Sequence, residues 1–232
     1  MSLSTLRGAD VAKRRSIESE MRDDIVRGRI APESWLRMED LKARFDVGFS
    51  PIREALARLS AEGLVSLEPN RGFQVAALSR EDLHDIAVVR CAIETSALRR
   101  SIERGGHDWE VGIIAAMHLY RRKSERAFES EDELQAWENA HEALHAALIS
   151  ACGSPRSLAL QKRLQDQHLR YRRLIVIPQL SPEVHVEEHE RLVALALERD
   201  VEKAVIAIQQ HMMITVDALE KSQFWDGTTP TE

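Results

Sequence analysis

His141-Glu142-Ala143-Leu144-His145 sets two imidazoles four residues apart. Histidines at that spacing lie side by side on one helix surface, where both can reach a single ion. The pair belongs to the stripe Trp137, His141, Leu144, His145, Leu148 and Cys152, the pattern of a buried helix face. Two further histidines share this property. His189 runs into Leu192, Val193, Ala196 and Leu197, and His211 falls among Val201, Ala204, Ile208 and Met212 at helical spacing. Three helices are thus expected to aim four imidazoles into one apolar core. Burying four such rings is costly unless something satisfies their nitrogens, and a divalent metal ion does so. The expected ligands are His141, His145, His189 and His211.

The same five residues spell His-Glu-x-x-His, the motif with which zinc peptidases activate a metal-bound water through the glutamate, here Glu142. A zinc metallopeptidase is therefore the enzyme alternative. Two features count against it. A catalytic zinc keeps one position open for water, whereas two more buried histidines are placed to bind. Nothing in the chain supplies the mixed sheet that lines a peptide cleft. The expectation is a protein that is not an enzyme. His84, His107, His118 and His168 read as surface or cap residues. His185 reads as part of a Pro-bounded loop, close enough to His189 in sequence to support it from behind.

The elements that position these residues are helical from Ser79 onward. Breaks fall at Gly105-Gly106-His107, near Ser130, at Gly153-Ser154-Pro155, at Pro178 to Pro182 and at Arg199-Asp200. That predicts an antiparallel all-helical bundle of about six helices. The first third is organised differently. Ile17 to Val26 and Glu39 to Phe45 are predicted helices. Ser50 is a good N-cap for a third, with Pro51 at its first position, and Ile52, Ala55, Leu56 and Leu59 form its buried stripe. Gly63 ends it, and two strand-like runs flank the turn-rich tip Glu68-Pro69-Asn70-Arg71-Gly72. Helix, helix, turn, helix and hairpin in this order predict a winged helix-turn-helix with a small β-wing. The fold class is mainly α, with a DNA-binding domain at 1–78 and a helical metal- and effector-binding domain at 79–232.

Charge follows the same division. The chain of 232 residues has a formal net charge of −6. Residues 1–78 carry 13 Lys+Arg against 12 Asp+Glu, and the remainder 19 against 26. The acidic second part would be repelled by DNA, so binding belongs to the near-neutral head and should weaken steeply with salt. Cys91 and Cys152 are too few for a disulfide framework and are expected as reduced, buried thiols of a cytoplasmic protein. No membrane-length apolar stretch is present, and no membrane partner is expected.

Val47-Gly48-Phe49-Ser50-Pro51-Ile52-Arg53-Glu54-Ala55-Leu56 resembles the recognition-helix signature of the GntR family of bacterial transcription regulators. The rest of the chain is similar to that family's helical effector domain, in the branch named after the fatty-acid regulator. The resemblance implies a homodimeric repressor on two-fold operator DNA, released by a small organic acid, a mono- or dicarboxylate. It also implies a metal held by one Asp and three His. His145, His189 and His211 match those histidines, and His141 stands where the Asp is usual. An all-imidazole set adds no negative charge, leaving the ion's full charge to attract an anion. Nitrogen ligands favour zinc, or nickel, over manganese.

Arg90 lies on the apolar stripe Leu83, Ile86, Ala87, Arg90, Glu94, Ala97 and Leu98, and a buried guanidinium needs an anion. Two readings stand open: an internal pair with Glu94 at i+4, or a fork on the effector's carboxylate. Arg170 to Arg173 form a second cationic cluster, mostly a solvated face, from which Arg172 is the expected effector contact. On DNA, Arg53 is expected at base edges in the major groove and Ser50 on phosphate at the helix start. Arg71 and Gly72 belong at the minor groove, and Arg37 and Arg58 on backbone phosphate. Phe49 stands where the family often has Arg, which removes one customary base contact.

Overall fold

The computed structural model describes residues 17–125, 128–173 and 182–221. Within them the chain is mainly α: nine helices and a small antiparallel sheet. They divide into two compact units, one made of 17–83 with 166–173, the other of 84–125, 128–165 and 182–221.

The first unit is a winged helix-turn-helix. Helix α1 (17–26), strand β1 (Trp35–Leu36), α2 (Met38–Phe45), α3 (Phe49–Ala61), β2 (Val65–Glu68) and β3 (Gly72–Val75) follow in order. Ile17, Met21 and Ile25 of α1 meet Leu41 of α2 and the stripe Ile52, Ala55, Leu56 and Leu59 of α3, all buried. The helical period placed these side chains on one face, and burying each of the Ile, Leu and Met side chains contributes about 1.5–3 kcal/mol. The sheet order is β1-β3-β2, with Trp35 opposite Gln74 and Val65 opposite Val75. Strand β1 was not expected from the sequence; two residues carry no alternation to read. At the wing tip Arg71 N–H bonds Glu68 O at 3.1 Å, and Asn70 (φ 60°) and Gly72 (φ 100°) turn the chain through the left-handed region.

Helix α3 begins two residues earlier than the sequence suggested. Its N-cap is Gly48, with no side-chain cap bond, and Ser50 lies inside the helix with its hydroxyl 3.3 Å from Glu54 Oε1. Pro51 is tolerated there because the N–H groups of a helix's first turn have no intrahelical partner. Ser50→Ala should therefore cost only a few tenths of a kcal/mol in urea unfolding, against ~1 kcal/mol for a lost N-cap. A loss at the larger value would restore Ser50 as the cap. Gly63 ends the helix as expected, at φ 76°, with Leu64 N–H on Leu59 O at 3.0 Å.

The second unit carries α4 (Arg80–Arg104, from His84 on), α5 (His107–Lys123), α6 (Glu131–Ile149), α7 (Pro155–Tyr171, to Gln165), α8 (Pro182–Leu197) and α9 (Val201–Glu220). Ser130 caps α6 by accepting Glu133 N–H at 3.2 Å. Gly105 is needed between α4 and α5 because a Cβ there would stand 2.4 Å from the Trp109 ring. The core joins Leu98 and Ile102 of α4, Ile113 and Tyr120 of α5, Trp137, Leu144 and Leu148 of α6, Leu192 and Ala196 of α8, and Ala204 and Ile208 of α9. The expected break at 178–182 lies outside the described residues as far as 181.

Three expectations are corrected. His185 belongs by its backbone to the first turn of α8 rather than to a loop, and its side chain lies outside the described residues. His168 is buried, not a surface or cap residue. Arg170, Tyr171, Arg172 and Arg173 are all buried rather than mostly solvated. The reason is that this end of α7 enters the core of the first unit through Leu169. Arg170 donates to Ala76 O, and Gln167 to Glu62 O. Tyr171 donates to Asp82 Oδ2 at 2.5 Å and accepts from Ser79 N–H at 3.2 Å. Burial and the Asp82 bond push the Tyr171 phenol well above its ordinary range.

Candidate metal centre and nucleic-acid interface

The four expected histidines converge. His141, His145, His189 and His211 each offer a ring nitrogen, and these atoms all lie within 4.8 Å of one another. His145 Nε2 and His189 Nε2 are 3.2 Å apart. Nitrogens in adjacent positions on a first-row ion stand about 3.0–3.4 Å apart and opposite ones about 4.2 Å, given metal–nitrogen bonds near 2.1 Å. The 3.2 Å pair fits adjacent positions, and the cluster as a whole, within 4.8 Å, is slightly wider than one ion's shell. His145 is 2% exposed and His189 1%, so water is largely kept from their nitrogens. Neutral imidazole is the metal-binding form, and four of them in an apolar core can hold a divalent ion.

Aromatic walls fix the rings. Tyr120 of α5 lies 4.8 Å from the His189 ring and 5.5 Å from His141, centroid to centroid. Trp137 stacks on His141 at 5.8 Å and is itself held by its indole N–H on Ser124 Oγ at 2.9 Å. Two carboxylates stand behind the imidazoles. Glu188 Oε2 is 3.4 Å from His211 Nδ1, and Glu94 Oε2 is 3.6 Å from His145 Nδ1.

Arg90 is paired internally. Its Nε and Nη2 donate to Glu94 Oε1 at 3.0 and 2.8 Å, and Nη2 also reaches Gln165 Oε1 at 2.7 Å. Gln161 Nε2 adds a third partner for Glu94 Oε1, at 3.3 Å. Burial pushes the Glu94 carboxyl up, but Arg90 and His145 outweigh it and hold it well below the usual carboxylate range. Gln161 and Gln165 escaped the sequence reading, although they fall on the face of α7 that also carries Leu158 and Leu169. Arg172, the other expected effector contact, belongs to the first unit, whereas Arg90 and the histidines belong to the second.

Glu142, the base of the peptidase alternative, has its carboxylate 3.3 Å from Lys162 Nζ. The four-imidazole arrangement gives that alternative no support.

On the first unit, Arg37, Ser50, Arg53, Arg58 and Arg71 are all exposed. Arg53 and Arg37 have no hydrogen bond or ion pair to protein among the described residues. Arg58 is already paired with Glu18 at 3.1 Å. Arg71 lies over the Trp35 ring at 4.5 Å, which pins the wing tip. Phe49, the first residue of α3, is 39% exposed, with Lys42 Nζ 4.9 Å over its ring.

A winged helix-turn-helix joined to a six-helix domain with a buried imidazole cluster defines a DNA-binding regulator of two-module type. Residues 13–75 match the family described as bacterial regulatory proteins, gntR family, and residues 85–213 match the FCD domain. The chain belongs to the GntR family, in the branch that carries an FCD domain. It is 34% identical over 207 residues to the HTH-type transcriptional repressor GlaR of Escherichia coli K12, covering 87% of this chain and 93% of that protein. It is 36% identical over 202 residues to the regulator BphR of Paraburkholderia xenovorans LB400, covering 87% and 82%. Among solved structures, E. coli McbR/YncC shares the fold with a TM-score of 0.76 at 17% identity, over 90% of this chain and 97% of that one. Members of this family act as transcription regulators, not enzymes, and no helix among the described residues is long and apolar enough to cross a membrane.

Proposed function

We propose that the chain is a transcriptional repressor. Residues 1–78 read operator DNA, and residues 79–232 hold a divalent ion on His141, His145, His189 and His211. A small organic acid, a mono- or dicarboxylate, binds at that ion and releases the DNA. The observation that carries this reading is the convergence of four imidazoles, three buried and His211 partly so, inside the helical domain of a DNA-binding regulator. Repression is supported by the likeness to GlaR, which is named a repressor. Zinc is the proposed ion, with nickel the other that imidazole nitrogen suits. An all-imidazole site leaves the ion's charge uncompensated, so an anion is the natural ligand. Arg90 retains one nitrogen, Nη1, without a protein partner among the described residues, and that donor is available to the acid.

The reader works as a homodimer, one recognition helix per half-site. Exposed Val88 and Val89 on α4 and Val111, Ile114 and Leu119 on α5 offer a second copy apolar surface to cover. Arg53 takes base edges. Arg37, Ser50 and Arg58 take phosphate, and Arg71 and Gly72 the minor groove. Phe49 opens the recognition helix as an apolar group, and the apolar feature of a major groove is the thymine methyl. Replacing thymine by uracil at one operator position should weaken binding of the wild type about 3-fold or more and leave Phe49→Ala unaffected. Equal sensitivity of both proteins at every thymine would remove Phe49 from base reading.

The reading is tested by releasing protein from operator fragments with C3 to C6 mono- and dicarboxylates, before and after stripping metal with a chelator. One of these acids should release the metal-loaded protein, and stripping should raise the concentration needed by at least 10-fold. Release unchanged by stripping and by zinc addition would refute the metal-linked mechanism.

A further inference from the structure

Glu94 and His145 each bury one polar atom that finds no hydrogen bond, and the two atoms face one another. Glu94 Oε1 accepts from Arg90 Nε, Arg90 Nη2 and Gln161 Nε2, while Glu94 Oε2 accepts from nothing. His145 Nδ1 is likewise unbonded. The separation is 3.6 Å, a few tenths of an ångström beyond hydrogen-bond length, and both side chains are at most 2% exposed. The other nitrogen of the same ring, Nε2, is the one turned to His189 in the cluster. A neutral imidazole carries its proton on one nitrogen and a lone pair on the other. If Nε2 is to ligate, Nδ1 must carry the proton, and Glu94 Oε2, 3.6 Å away, is the acceptor beside it.

We infer that Glu94 is a positioning residue of the metal centre: it accepts a hydrogen bond from the Nδ1–H of His145 and so fixes the tautomer that presents Nε2 to the ion. Arg90 and Gln161 act one step further out. Their donors hold Oε1, so the carboxylate presents Oε2 to the ring and turns nowhere else. This assigns the internal Arg90–Glu94 pair a task in metal binding, in addition to neutralising a buried guanidinium. Carboxylates placed behind a ligating histidine orient the ring and raise its basicity, and their loss typically weakens metal affinity 10- to 100-fold.

The inference rests on the metal-centre reading, and the experiment separates the two. Zinc affinity of the full chain is measured by competition with a chromophoric chelator for wild type and Glu94→Gln. The glutamine keeps the volume but can turn an N–H toward Nδ1, which favours the wrong tautomer. The expected result is a 10- to 100-fold loss of zinc affinity. Zinc bound by the wild type and equally well, within twofold, by Glu94→Gln would overturn the role of Glu94 while leaving the metal centre standing. A wild type that binds no zinc would overturn both. If the variant does not fold, histidine 15N spectra of the zinc-loaded wild type decide. A protonated Nδ1 and metal-bound Nε2 on His145 are expected, and the reverse assignment would overturn the inference.

Discussion

Replacing His145 and His189 together by alanine should abolish metal binding. Their facing nitrogens are the 3.2 Å pair of the cluster, contributed by two different helices, so of the four rings the double variant keeps only His141 and His211. Metal content should fall from one ion to below about a tenth of an ion per chain. The thermal response should vanish with it. An ion a thousandfold above its dissociation constant stabilises the native state by about 4 kcal/mol. For a chain of this length that is a rise of about 8–16 °C in Tm. Zinc should give that rise in the wild type and none in the double variant, with far-UV circular dichroism showing both to be helical before heating. An undiminished rise in the double variant would place the ion elsewhere.

The second large effect lies on the DNA. Arg53 projects from α3 with no protein partner among the described residues, so Arg53→Ala removes nothing from the fold. A good base contact is worth about 1–3 kcal/mol, and a dimer would lose it twice. Operator affinity should drop by about 30-fold at the least, read by fluorescence anisotropy at fixed salt, with the urea midpoint unchanged. Arg58→Ala is the internal comparison. Its guanidinium is shared with Glu18, so less of its charge is available to phosphate and the loss should stay within about tenfold. Equal losses from the two variants would mean that the Glu18 pair does not hold in the complex.

The histidine cluster was legible because each ring falls on an apolar helical stripe, and a stripe announces burial even before the helices are assembled. The same holds for Ile52, Ala55, Leu56 and Leu59 of the recognition helix. What sequence could not supply was the pairing of polar groups inside the core. Gln161, Gln165 and His168 share a face of α7 with Leu158 and Leu169, but hydropathy does not distinguish a solvated polar side chain from a buried one satisfied by neighbours. Glu94 was visible only as the i+4 partner of Arg90. That its second oxygen faces His145 depends on how α4 meets α6, a tertiary fact. The helix start was misplaced for a local reason. Ser-Pro is a strong capping signal, but Gly48 at φ −75° and ψ 174° opens the helix earlier and leaves Ser50 inside its first turn. Strand β1 is too short to carry a period at all.

The account stands on four imidazoles sharing one ion, and X-ray absorption at the metal edge of the zinc-loaded protein tests that most directly. A first shell of nitrogen near 2.0–2.1 Å, with the outer-shell scattering of about four imidazole rings, is the predicted result. A shell containing sulfur, or one with no more than a single imidazole, would contradict it.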